Sequence, residues 1–242
     1  MKIKVINPNT TWAMTAEIEE CARAACGPGA FIEAVSPAMG PSSIESHYDE
    51  ALSVPGILAE IMAGERDGAD GYVIACFGDP GLDAARELAA GPVVAIAEAA
   101  MHYAAFLGRG FSIVTTLGRT CGRAADLVER YGMQRHCRGI HSCEIPVLDL
   151  DNNPDARKVI TEACFDALDR DHSDVIVLGC AGMADLCRDL SEELGVPVVD
   201  GVTAGVTMVQ SLVTLGLSTS AHNEFARPLP KVYTGMLAPF SL

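Results

Sequence analysis

Two stretches of this chain, 104 residues apart, carry one pattern. Tyr72-Val-Ile-Ala-Cys76-Phe-Gly78 and Val175-Ile-Val-Leu-Gly-Cys180-Ala-Gly182 are apolar, strand-like runs ending in a cysteine, with a glycine two residues later. Sixteen residues after Cys76 stands Pro92-Val-Val; seventeen after Cys180 stands Pro197-Val-Val. A repeat of this length confines the chain to two similar units. One thiol per unit points to two acid/base groups facing one substrate, as inversion of a stereocentre requires.

Strand-like and helix-like runs alternate around the repeat, the pattern of parallel sheets covered by helices. Strands are expected at Lys2–Ile6, Phe31–Val35, Gly71–Ala75 and Val93–Ile96, then at Phe111–Thr115, Cys143–Leu148, Asp174–Gly179 and Val196–Val199. Helices are expected over Trp12–Cys26, Asp49–Arg66, Glu98–Leu107, Arg119–Tyr131, Asn153 through Leu168, Met183–Leu194 and Val202–Leu215, with another opening near Pro80. Thr10 or Thr11 is the expected cap of the first helix. The fold class is therefore α/β, with two pseudo-symmetric lobes, each a parallel sheet flanked by helices, and a site in the cleft between them. Residues 1–100, completed by 205–242, form the first lobe in this reading, and 101–204 the second. The tail Ser218–Leu242, with three prolines, is expected to be irregular and to cross back to the first lobe or cover a sheet edge. Four loops, Asn7–Thr11, Cys76–Asp79, Thr115–Thr120 and Cys180–Met183, fall at the carboxyl ends of strands, where open α/β sheets bind ligands.

A formal charge of −15 argues against nucleic acid or an anionic membrane as partner, because long-range repulsion opposes both. Met1-Lys-Ile-Lys-Val-Ile6 meets Asn7-Pro8 at once, which is no export signal, so a cytoplasmic protein is expected. Nine cysteines are then reduced thiols, most of them small core residues. His136, Cys137, His141 and Cys143 form the densest metal-like cluster but lack zinc-site spacing, so no metal is expected. Phosphate-cradling glycine loops and a G-x-S-x-G elbow are absent from the sequence. His102 and His172 read as surface or packing residues, and His47 sits beside a polar segment, Ser36–Ser46, that reads as a lid.

A cysteine after a buried strand is ordinarily a core hydrophobe. Cys76 and Cys180 differ because each lies at a strand end, each precedes a glycine whose neighbourhood offers free N–H groups, and the two match across the repeat. Following helix N-termini would favour a thiolate. Cys21, Cys26, Cys121, Cys164 and Cys187 fall in helical runs and read as packing.

Four blocks carry a resemblance: Val73-Ile-Ala-Cys-Phe-Gly-Asp-Pro-Gly-Leu82, Ile96-Ala-Glu-Ala-Ala-Met-His102, Phe111-Ser-Ile-Val-Thr-Thr-Leu117 and Val177-Leu-Gly-Cys-Ala-Gly-Met-Ala-Asp-Leu186. With the opening Val5-Ile-Asn-Pro-Asn-Thr10, the whole chain resembles the aspartate/glutamate/hydantoin racemase superfamily, in its hydantoin racemase branch and nearest to allantoin racemases. The resemblance implies a cofactor-independent isomerase, a homo-oligomer, a role in purine catabolism and one catalytic cysteine from each lobe. Amino-acid racemases of this group follow their cysteines with Asn-Thr and with Thr plus an ionisable residue, where this chain has Phe77-Gly78 and Ala181-Gly182. The cleft loops look poor in charge, which suits a small neutral cyclic ureide better than an amino acid.

On that reading one thiolate of the Cys76/Cys180 pair takes the ring proton and the opposite thiol returns one to the other face. Backbone N–H groups near Gly78, or Ala181 and Gly182, would hold the enolate oxygen. Asn9, Thr10, Thr115 and Thr116 would hold the ring, unless they serve only as caps or turn residues, and Phe77 would pack on its face. The alternatives are an amino-acid racemase, a maleate isomerase, an arylmalonate decarboxylase and a non-enzymatic ligand sensor. The presence of both Cys76 and Cys180 disfavours the decarboxylase, whose relatives keep only the cysteine of the second half; neutral loops disfavour the maleate isomerase, and the paired thiols with no export signal disfavour the sensor.

Overall fold

Strands buried on both faces read as unbroken apolar runs. Tyr72-Val-Ile74 and Val175-Ile-Val-Leu178 are fully buried runs of this kind. The computed structural model describes residues 1–241. Its first half runs β1 (Lys2–Ile6), α1 (Trp12–Ala25), β2 (Phe31–Val35), α2 (His47–Arg66), β3 (Gly71–Ile74), α3 (Leu82–Leu88), β4 (Val93–Ala95) and α4 (Ile96–Leu107). The second repeats the order: β5 (Phe111–Thr115), α5 (Cys121–Arg130), β6 (Cys137–Ser142), α6 (Ala156–Asp171), β7 (Val175–Leu178), α7 (Cys187–Leu194), β8 (Val198–Asp200) and α8 (Gly201–Thr214).

Each half makes a four-stranded parallel sheet, ordered β2-β1-β3-β4 and β6-β5-β7-β8. The first strand of each half lies beside the third, and the helices that follow those two strands leave toward different faces. This is the switch point at which doubly wound sheets open a ligand crevice. Outside the first sheet, Ile57 and Ile61 of α2 cover Ile6, Tyr72 and Ile74. Outside the second, Ile160 and Cys164 of α6 cover Val114, Ile176 and Leu178. Between the sheets lies a shared core in which Val5, Val73, Phe111, Ile113 and Val177 meet α1, α4, α5 and α8. Each fully buried aliphatic side chain there contributes about 1.5–3 kcal/mol relative to exposure.

The last helix of each half covers the other half's sheet. α4 packs on β7 and β8, while α8 packs on β1, β3 and β4. The two helices meet at their first residues: a Cβ on Gly201 would lie 2.5 Å from the Ile96 carbonyl oxygen and 2.6 Å from Ile96 Cβ. Glycine lets the two backbones touch.

Two expectations shift. The strand expected at Cys143–Leu148 is instead β6, at Cys137–Ser142. As an edge strand paired only with β5, β6 needs no unbroken apolar run, and Gly139 interrupts its pattern. Cys143 and Ile145 are apolar because they turn into the outer core as coil, and Val147, in a 3-10 turn, reaches the shared core between the sheets. The helix expected over Met183–Leu194 opens as a 3-10 turn, Ala181–Leu186, before α7. The metal-like cluster is divided among other tasks, with His141 Nε2 paired to Asp171 at 2.7 Å and Cys143 buried in the core. Residues 218–241 lie along the first half: Thr219 donates to the Gly91 carbonyl and the Phe225 ring faces Arg86; Leu242 is outside the described residues. Among the described residues no helix is long and apolar enough to cross a membrane.

Candidate active site

The loops after β1, β3, β5 and β7 converge on one cavity of about 180 Å³ between the halves, room for one small ring. Cys76 and Cys180 both line it, with Asn7, Asn9, Phe77, Gly78, Thr115, Thr116 and Ala181. The sequence therefore places both thiols on one chamber by ending β3 and β7 at matching points: Ile74 pairs with Ala95 and Leu178 with Asp200.

Both cysteines are half-buried on the cavity wall, and desolvation there pushes the Cys76 thiol up to about 12 and the Cys180 thiol up to about 12. The N–H groups of Gly78 and Gly182 pull in the opposite direction, each toward its own sulfur. The expected help from helix N-termini does not decide the matter. α3 begins only at Leu82 and the turn after Cys180 is a 3-10 helix, so desolvation outweighs them and both groups rest as thiols.

Asn9 Oδ1 accepts from the Thr11 N–H at 2.9 Å and from Asn7 Nδ2 at 3.0 Å, so this residue shapes the entry to α1 while also lining the cavity. Thr115 does likewise, with its hydroxyl donating to the Gly179 carbonyl at 3.1 Å. Thr10 serves elsewhere: its N–H and hydroxyl both reach the Pro41 carbonyl and pin the Ser36–Ser46 segment, and it is not part of the cavity wall. Thr11 occupies the N-cap of α1, without a side-chain capping bond. Gly182 stands behind Cys180, where a Cβ would meet Leu150 Cδ1 at 3.1 Å and Met14 Cε at 3.5 Å.

The cavity is richer in charge than the strand-end loops suggest. Glu45, His47 and Glu50 enter from the start of α2, and Arg119 and Arg123 from the start of α5. Arg123 Nε lies 3.3 Å from Glu50 Oε1 and its guanidinium donates twice to the Gly78 carbonyl, at 3.1 and 2.8 Å. Burial raises the Glu50 carboxyl against the lowering effect of Arg123. Glu45 accepts from the Val147 N–H at 2.7 Å, tying the end of the Ser36–Ser46 segment to the second half. His47 is a wall residue too, though 80% exposed at its side chain. The sequence signal for this wall was the helix that follows the polar segment, whose first turn carries His47, Asp49 and Glu50.

The family profile described as Asp/Glu/Hydantoin racemase matches residues 3–209. The chain belongs to that family. A hydantoin racemase of Pseudomonas sp. is 48% identical over 241 residues, covering 99% of this chain and 97% of that protein. An allantoin racemase structure from Klebsiella pneumoniae is 51% identical with a TM-score of 0.98, covering 100% of this chain and 99% of that one. The allantoin racemase structure from Pseudomonas fluorescens is 39% identical with a TM-score of 0.93, covering 97% and 100%. The two-lobed α/β fold is the one this racemase family uses, and the expected enzyme class, an isomerase, agrees with these relatives.

Proposed function

We propose that the protein racemises a cyclic ureide, allantoin or another 5-substituted hydantoin, with Cys76 and Cys180 as the two acid/base groups. The observation that carries this reading is a single cavity walled by one thiol from each pseudo-equivalent strand end. The relatives named for hydantoin and allantoin support the substrate class. The ring carbon to be inverted bears its proton between a carbonyl and a nitrogen, so deprotonation puts charge on the carbonyl oxygen. One sulfur removes the proton as thiolate; the other, still a thiol, protonates the opposite face. The reverse direction exchanges the roles.

A small ring shielded from water needs partners for its N–H and C=O groups. Asn7, Asn9, Thr115 and Thr116 on the wall offer them, and the Arg123–Glu50 pair adds a donor and an acceptor for a polar substituent at C5. Phe77, 7% exposed, packs the ring face. The test follows optical rotation and loss of the C5 proton when one enantiomer of allantoin, or of a 5-alkylhydantoin, is incubated with the protein in D₂O. Absence of both changes with every ureide tried would sink the proposal.

The pH profile follows from the raised thiols. Below the first ionisation of the pair the thiolate fraction, and with it racemisation and alkylation by iodoacetamide, climbs about tenfold per pH unit. Free cysteine ionises near 8.5, so a reference thiol levels off while the enzyme is still rising between about pH 8.5 and 10. An enzyme profile that flattens with the reference thiol contradicts a buried resting pair.

A further inference from the structure

The two thiol turns are held by different means. After Cys76 the chain folds back sharply, with the Asp79 N–H on the Cys76 carbonyl at 3.0 Å and Asp79 itself at φ 48°. This turn is gripped from the opposite half. Arg123 of α5 donates two bonds to the Gly78 carbonyl. Tyr131, at the end of the same helix, donates its hydroxyl to the Asp79 carboxylate at 2.6 Å. That carboxylate is 2% exposed and also accepts the N–H groups of Ala97 and Glu98, at 3.0 Å each. It thereby caps α4, whose own N-cap is Ala95 and has no side chain for the task. In the second half the matching residue, Asp200, caps α8 directly, through the Thr203 N–H at 2.8 Å. No reach across the cleft is needed there.

The turn after Cys180 lacks this grip. Thr115, from its own half, holds the Gly179 carbonyl, and the cross-cleft neighbour at Gly182 is the thioether of Met14. Among the described residues no guanidinium or phenol bonds to residues 180–183.

The geometry points to α5 as a clamp on the Cys76 turn alone, with Arg123 and Tyr131 as positioning residues that fix the Gly78–Asp79 backbone beside Cys76. Gly78 carries both ends of the device: Arg123 fixes its carbonyl, and its N–H, in the preceding peptide, is the backbone group that draws the Cys76 thiol back down against burial. Asp79, its carboxylate anchored at three points, holds the other side of the peptide whose carbonyl Arg123 grips. The two acid/base groups are thus inequivalent, one tuned from across the cleft and one from within its own half. This rests on the reading of Cys76 as an acid/base group.

The experiment measures alkylation of the two resting thiols by iodoacetamide against pH in the full chain, resolved by peptide mass spectrometry, for wild type, Tyr131→Phe and Arg123→Lys. Tyr131 is not part of the cavity wall, so its variant leaves the chamber's lining intact. Each variant is expected to slow Cys76 by about threefold to tenfold, the equilibrium worth of one hydrogen bond, and to move its profile to higher pH, with Cys180 unchanged. Cys180 doubles as the control for folding. Unchanged rates at both sites, equal shifts at both sites, or faster Cys76 alkylation with no movement of its pH profile would each overturn the clamp. Alkylation needs no substrate, so a wild-type protein that fails to racemise any ureide strikes the proposed function and leaves this inference to its own data.

Discussion

Cys76→Ser and Cys180→Ser are each expected to lower racemisation by about a thousandfold or more, since a positioned acid/base group contributes roughly 10²–10⁴ and an alcohol cannot replace a thiol at either end of the transfer. The two losses will not look alike in D₂O. Each variant keeps one sulfur on the cavity wall, so it should still exchange the C5 proton of the enantiomer that presents that proton to the surviving thiol. Wild type loses optical rotation and the C5 proton together; the variants separate them. If both variants racemise at the wild-type rate, the cysteines are packing residues and the proposed mechanism is wrong. Enantiomers have equal free energy, so kcat/KM is the same in both directions for any variant. In racemisation kinetics an inequivalence between the two thiols therefore shows in kcat and KM taken separately, and in which enantiomer exchanges, and not in kcat/KM.

The second large effect is on stability. Gly201→Ala places a methyl 2.5 Å from the Ile96 carbonyl oxygen and 2.6 Å from its Cβ, at the point where α4 and α8 touch. Neither partner is the free end of a flexible side chain, so two helices must part to admit it. Overpacking of this kind costs about 1–3 kcal/mol. For a chain of this size that corresponds to a fall in melting temperature of about 3–10 °C, read by calorimetry or far-UV circular dichroism. Gly122→Ala, on the exposed side of α5 with nothing near its Cβ, is the control and should be neutral or slightly stabilising. Equal melting temperatures for the two variants would show that the helix crossing is looser than the distances state.

Most of the architecture was legible because parallel strands buried on both faces leave an unambiguous trace. Val5-Ile6, Val73-Ile74 and Val175–Leu178 could hardly be anything else, and they carry both cysteines to the same edge. β6 was misplaced because an edge strand escapes that requirement: Arg138, Gly139 and His141 satisfy a ladder without looking like one. The thiol pair was visible as a repeat, and Asn9, Phe77, Gly78, Thr115, Thr116 and Ala181 followed from the loops that hold it. Thr10 lies off the cavity wall, its N–H and hydroxyl on the Pro41 carbonyl, and Gly182 stands behind the wall with only its N–H turned to Cys180. The charged wall was hidden for the opposite reason. Glu45, Glu50 and Arg123 reach the cavity from helix ends far along the chain from either cysteine, and only the closing of the two halves brings them there. The same holds for the resting state of the thiols, since desolvation is a property of the closed chamber and no local motif records it.

The exchange of α4 and α8 between the sheets has a consequence for the order of events on the ribosome. The first sheet is complete once β4 has been made and α1 already covers the β2 side of its inner face, yet the helix that covers β3 and β4 there begins at Gly201. About a hundred residues must be synthesised before Val73 and Val94 can be shielded. Until then the nascent first half carries an open apolar face, which α4, already made, cannot close because its partner strands β7 and β8 do not yet exist. Contacts so distant in sequence slow folding and prolong the exposure of sticky intermediates. The two halves thus mature together, only after β7, β8 and α8 have been made, and the chamber that joins the thiols closes with them.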